Sequence, residues 1–294
     1  MHIDAIIKKT LYYVENRQRI KSEDKGKKMK KIKIFSILLF LLSTAAFAGF
    51  RIYEGMAADR TAPVITADSD TVQMSVADDE SKLLEGVTAE DSRDGDVTDT
   101  LVIQSLSPFI EGTRRTVNYA AVDGSGNVGY FSRTLEYTDY QAPVFAMSSP
   151  LRFPLGSTIN ICEGLTASST LDGDLTNGIK YTLDGTISNA AAGTYPVEFR
   201  VTDSAGRTSY LTTEIEVYDP STERIEVSLS TYLVYLRVND PFDPAAYYAG
   251  ADEEGALNIQ SNVNTAQAGS YFADYYVTSG TQTGKTRLIV VVSE

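Results

Sequence analysis

Apolar and polar positions alternate with a period of two through most of this chain. Val117, Tyr119 and Ala121 interleave with Thr116, Asn118 and Ala120, and Val197, Phe199 and Val201 interleave with Glu198, Arg200 and Thr202. Ala273, Tyr275 and Val277 repeat the pattern near the end of the chain. A period of two puts every second side chain on one face, so these segments read as strands with one buried face, separated by Gly, Asp and Asn turns. The first 53 residues break the pattern. Ile34 to Phe50 is apolar apart from Ser43 and Thr44, and Ile3, Ile6, Ile7, Leu11 and Val14 fall at helical spacing.

The strands recur in blocks offset by 80 residues: Asp59-Arg60-Thr61-Ala62-Pro63-Val64 returns as Asp139-Tyr140-Gln141-Ala142-Pro143-Val144, and an Asp219-Pro220 turn follows 80 residues later. Leu84-Glu85-Gly86-Val87 answers Cys162-Glu163-Gly164-Leu165. Asp94-Gly95-Asp96 answers Asp172-Gly173-Asp174, and Asp123-Gly124-Ser125-Gly126 answers Asp203-Ser204-Ala205-Gly206. Self-similarity at a fixed period predicts an array of small units. Several short strands per unit without a helical stretch predict two-sheet sandwiches. The expected organisation is a basic leader (1–33), a transmembrane or signal helix (34–53), and three all-β modules at 60–139, 140–219 and 220–294. Short junctions predict a semi-rigid, elongated monomer with the modules in a row. The third module diverges: it carries Ala251-Asp252-Glu253-Glu254-Gly255 in place of the Asp-Gly-Asp turn, as terminal repeats often do.

A resemblance rests on several of these motifs in fixed order. They are Ala62-Pro63-Val64, then Glu85-Gly86-Val87-Thr88-Ala89 with Asp91, then Asp94-Gly95-Asp96-Val97-Thr98, then Val117, Tyr119, Ala121 and Asp123-Gly124-Ser125-Gly126-Asn127. This order resembles the immunoglobulin-like domain first described in a pesticidal crystal protein and found in tandem on bacterial surface proteins. It is carried by 60–139 and 140–219 and only loosely by 220–294. The resemblance implies tandem immunoglobulin-like β-sandwiches acting as spacers or binding modules, with no shared catalytic residues. The second module departs from it at Ser169, where the first has Asp91, and at Arg207, where the first has Asn127.

Charge adds a location. Residues 1–33 hold eleven Lys/Arg against four Asp/Glu, a net +7, and the remainder holds fifteen against thirty-five, a net −20. The Lys-rich flank before Ile34 predicts a cytoplasmic N-terminus and extracellular modules, the membrane being engaged through 34–53. A competing reading is a signal peptide cleaved after Ala48, at Ala46-Phe47-Ala48, which releases the modules. The run Leu288 to Val292 reads as a strand without a wall-sorting signal, so the apolar segment is the expected anchor. An acidic ectodomain repels phosphate backbones and argues against nucleic acid. The expected partners are cell-envelope polysaccharide or a surface protein.

Candidate chemistry is sparse. Asp91, Asp94 and Asp96 cluster in one turn, and Asp123 and Asn127 lie in a second that can close on it; clustered oxygens of this kind suit calcium, the one cofactor the sequence suggests. The competing reading is that they cap turns on a solvated surface. The only histidine, His2, is in the leader, so the modules lack the residues for a Ser-His triad or a His-ligated zinc, and no enzyme is expected. Cys162, the only cysteine, reads as a small buried hydrophobe. With no tryptophan, a sugar platform would rest on tyrosines, of which the third module gathers Tyr232, Tyr235, Tyr247, Tyr248, Tyr271, Tyr275 and Tyr276.

Overall fold

The computed structural model describes residues 3–294; His2, and the side chains of Ile3, Ile6 and Ile7 at the start of the helical pattern, lie outside the described residues. One helix, α1 (Ile3–Ala57, 55 residues), takes in the leader and the apolar stretch without a break. At 1.5 Å per residue it is roughly 80 Å long, against a bilayer core of about 30 Å. It is long and apolar enough to cross a membrane.

After α1 the chain is mostly β-strand, arranged in several sheets and joined by loops and short 3-10 turns. The first strand set comprises β1 (Val64–Ala67), β2 (Thr71–Met74), β3 (Val87–Asp91), β4 (Gly95–Asp96), β5 (Val102–Leu106), β6 (Arg114–Val122) and β7 (Val128–Tyr137). One sheet orders β1-β3-β4, the other β2-β7-β6-β5, and β2 runs parallel to β7. The second set repeats this with β8 (Val144–Met147), β9 (Arg152–Pro154), β10 (Leu165–Ser169), β11 (Gly173–Asp174), β12 (Lys180–Leu183), β13 (Gly193–Thr202) and β14 (Thr208–Tyr218). Its sheets order β8-β10-β11 and β9-β14-β13-β12, with β9 parallel to β14. The third set, β15 (Val227–Leu229), β16 (Leu233–Arg237), β17 (Tyr248–Ala251), β18 (Ala256–Ser261), β19 (Gly269–Ser279) and β20 (Gln282–Ser293), keeps the parallel β16/β20 pair. It has no counterpart of β4 or β11, as expected where the Asp-Gly-Asp turn is missing. In that turn Gly95 and Gly173 adopt φ of +76° and +70°, where a side chain would be strained.

The alternating residues form the cores: Val117, Tyr119, Ala121, Val197, Phe199, Val201, Ala273, Tyr275 and Val277 are all buried. Half-buried Cys162 packs against the second core, and burial pushes its thiol pKa up. The first strand set has its own core, whereas the second and third share one. Contact between those two runs along a flank. The free edge of β8 receives the third set: the Phe145 amide donates to Tyr235 Oη (3.2 Å), and the Tyr232 amide donates to the Met147 carbonyl (3.2 Å). Beside this edge Arg152 pairs with Glu216 (2.9 Å) and Glu223 (2.5 Å), and Arg287 pairs with Asp274 (2.6 Å) and Glu214 (2.9 Å). The row of separate sandwiches expected from short junctions is therefore altered in its second half. Apolar flanks and complementary charges draw the last two strand sets into one body.

The first and second sets meet end to end. The Phe109 amide donates to the Ala205 carbonyl (2.9 Å), and Arg207 donates to the Gly112 carbonyl (2.8 Å). The Arg207 guanidinium and the Tyr140 ring both pack on Phe109.

Candidate metal centre

Four aspartates converge where the first sandwich meets α1. Asp91 ends β3, Asp94 lies in the β3–β4 turn, Asp123 opens the β6–β7 turn, and Asp59 sits two residues beyond the end of α1. One carboxylate oxygen from each lies within 4.8 Å of the other three.

Local backbone amides hold these carboxylates in place. Asp91 Oδ1 accepts from the amides of Arg93 (2.8 Å) and Asp94 (3.0 Å). Asp94 Oδ2 accepts from the Gly124 amide (3.0 Å), which ties the two turns together. Asp123 Oδ1 accepts from the Ser125 (2.9 Å) and Asn127 (2.8 Å) amides, and its Oδ2 accepts from Asn127 Nδ2 (2.7 Å). Asp59 Oδ1 accepts from the Thr61 amide (2.9 Å) and hydroxyl (2.7 Å). The entry strand is pressed close to β7: a Cβ on Gly129 would fall 2.0 Å from the Pro63 carbonyl oxygen, so only glycine fits there.

Hydrogen bonds from Thr61, with a contribution from the nearby Arg93 charge, hold the Asp59 carboxyl below the usual carboxylate range. Burial pushes Asp123 up, but bonds from Asn127 and Ser125 outweigh it, and the net shift is also downward. Both are therefore anionic at neutral pH. Two oxygens are left without a hydrogen-bond donor although buried, Asp59 Oδ2 and Asp91 Oδ2, and Asp91 as a whole is only 3% exposed. A buried carboxylate oxygen without a donor is costly. The donor set is all hard oxygen, which suits a hard cation and not a thiophilic one.

The second strand set shows the same turns closed by protein donors. Ser169 Oγ, at the Asp91 position, accepts from the Asp172 amide (2.9 Å), and Asp172 Oδ2 accepts from the Ser204 amide (2.9 Å). Asp203 takes the Arg207 amide (2.8 Å) on one oxygen and the Tyr140 hydroxyl on the other. Burial and the Asp203 charge keep the Tyr140 phenol well above its ordinary pKa, so it stays a donor. Asp139, the counterpart of Asp59, turns back to the first set and accepts from Ser75 Oγ (2.5 Å) and the Val76 amide (2.8 Å).

Three of the five residues expected from the sequence thus meet: Asp91, Asp94 and Asp123. Asp96 does not join them. Its Oδ1 accepts from the Thr98 amide (2.9 Å), the local capping role of an Asp two residues before a Thr. Asn127 supports the site through its amide, donating to Asp123 and to the Asp59 carbonyl (3.4 Å). Asp59 is the residue missed; its only sequence signal is the 80-residue correspondence with Asp139. The third-module tyrosines do not form one platform. Tyr232 and Tyr275 are core residues, Tyr235 faces β8, Tyr247 stacks on Phe242, and Tyr276 lies beneath Lys285.

No family model matches the chain. Over 223 residues, 70% of this chain, it is 25% identical to pesticidal crystal protein Cry22Aa of Bacillus thuringiensis. Over 105 residues, 34% of this chain, it is 30% identical to an uncharacterized 81.3 kDa protein of Acholeplasma phage L2. These alignments cover 30% and 14% of the two relatives, so the chain spans less than a third of either. Among solved structures, a Clostridium perfringens ZmpB fragment with CBM51-2 in complex with GlcNAc and INT domains aligns at 16% identity, covering 79% of this chain and 42% of that one, with a TM-score of 0.22. The protocadherin GammaB4 extracellular domain aligns at 12% identity over 80% of this chain and 51% of that one, with a TM-score of 0.20.

Proposed function

We propose that this chain is a membrane-tethered, non-catalytic surface protein whose sandwiches form a stalk or adhesive spacer. The observation that carries this reading is the continuity of α1, which runs from the basic leader through the apolar stretch and ends at Ala57, seven residues before β1 opens. The Lys-rich flank sets the N-terminus in the cytoplasm and the β-structure outside. The absence of histidine from residues 34–294 removes the commonest general base and zinc ligand, in keeping with a binding role. The partner is of the cell-envelope class, a polysaccharide or a surface protein. Expression of the full gene, fractionation of cells and medium, and mass determination of the mature terminus test the tether. The expected result is an intact 33–51 segment in the membrane fraction. A terminus at Gly49 in the medium overturns the tether and leaves a released binding module.

A further inference from the structure

We propose that Asp59, Asp91, Asp94 and Asp123 bind one calcium ion, and that this ion locks the joint between α1 and the first sandwich. Opposed oxygens in a calcium shell with 2.3–2.6 Å bonds stand roughly 4.6–5.2 Å apart. The four ligand oxygens lie within 4.8 Å of one another, so one calcium ion, whose oxygen shell is larger and less strict in geometry than magnesium's, can reach all of them. The independent observation is the pair of buried oxygens, Asp59 Oδ2 and Asp91 Oδ2, that no protein group satisfies. Each lies on a carboxylate whose other oxygen is already fixed by amides of its own loop, so the free oxygens are pre-positioned.

The second strand set is an internal control. There Ser169 removes one carboxylate, Tyr140 and Arg207 supply donors, and among the described residues neither Asp172 nor Asp203 has a buried oxygen without a partner. That joint is closed by protein alone, through Arg207 and Phe109. At the corresponding place the first set has Asn127, and a divalent cation takes the place of the Arg207 guanidinium. Asp59 lies two residues past the end of α1, so an ion shared with Asp91, Asp94 and Asp123 fixes the chain where the helix stops. Without the ion, residues 58–62 form a loose connection between helix and sandwich. The locking of α1 rests on the tethered reading; the calcium site does not.

The full chain in detergent or nanodiscs, stripped of divalent ions, provides the test. Titration calorimetry with calcium and, separately, magnesium reads binding. Double electron–electron resonance between labels at Tyr53→Cys and Tyr130→Cys, in a Cys162→Ala background, reads the joint. A pair at Tyr130→Cys and Tyr210→Cys monitors the protein-closed second joint. The expected result is one calcium site, a narrower Tyr53–Tyr130 distance distribution with calcium, and no change for the second pair. Asp91→Ser should lose both effects while keeping its fold, because Ser169 already sustains the same turn. Calcium heat without narrowing overturns the joint lock and leaves the site. No heat up to about 10 mM calcium, well above the affinity range of extracellular calcium modules, overturns both. Equal affinity for magnesium overturns the assignment to calcium. If the leader proves to be cleaved, the same titration on the released chain still reads the site, so failure of the tether is separate from failure of the site.

Discussion

The pairing of Tyr119 with Arg133 shows how one residue choice commits another. Tyr119 is a core residue whose hydroxyl donates to the Leu83 carbonyl (2.7 Å), and buried Arg133 donates to that hydroxyl (2.8 Å) and to the carbonyls of Leu83 and Glu85. Eighty residues on, the same places hold Phe199 and Thr213, so the hydroxyl and the guanidinium disappear together. Arg133→Met should cost about 2–3 kcal/mol, because it strips donors from buried oxygens. The double change Tyr119→Phe with Arg133→Thr should cost less than the sum of its parts by about 1 kcal/mol. Denaturant unfolding of the four variants measures the coupling, and strict additivity would refute it. The site was legible in the sequence to a similar depth. Asp91, Asp94 and Asp123 stand out because they sit in turns whose spacing is local. Asp59 is a linker residue 32 positions before Asp91, and only the folded entry strand carries it there. Asp96 misleads because a carboxylate that caps a turn and one that binds a metal share the same spacing.

At the scale of elements, period-two alternation made the strands and their buried faces readable, and the 80-residue repeat made the recurrence of one strand set readable in the first two blocks and only loosely in the third. The coverage of β8 was not readable. A strand's side-chain pattern reports which face is buried and says nothing about its hydrogen-bonding edge. Arg152 fastens that contact: it pairs with Glu216 and Glu223, donates to the Lys285 carbonyl, and lies 4.5 Å over the Tyr218 ring, with its side chain only 8% exposed. Removing one member of a well-buried ion network strands the others, so Arg152→Met should destabilise the second and third strand sets by about 3 kcal/mol. Arg114→Met is the matched control. Its bond to Glu136 is 3.3 Å long and largely solvated, and its loss should cost under about 1 kcal/mol. Equal effects in chemical denaturation would mean that the network adds nothing to the interface.

For the whole molecule, continuity of the core decides how many parts unfold independently. Three strand sets follow α1, and by that count three melting units are expected. Burial counts differently, because the apolar cluster through Phe145, Val197 and Leu211 continues into Tyr232, Tyr275 and Ile289, while the cluster around Tyr119 and Leu135 stays apart. A cooperative unit is a set of residues that loses its packing together, so the second and third strand sets should melt as one unit and the first as another. Unfolding enthalpy scales with residue number, at about 0.7 kcal/mol per residue. The joint transition should therefore carry roughly twice the enthalpy of the single one. Differential scanning calorimetry of the full chain in detergent separates the cases: two β-transitions with enthalpies near two to one, of which Arg152→Met lowers only the larger. Three transitions of similar enthalpy would mean that the flank contact is too weak to couple the last two sandwiches, and the molecule would then behave as the row of independent modules that the repeat alone suggests.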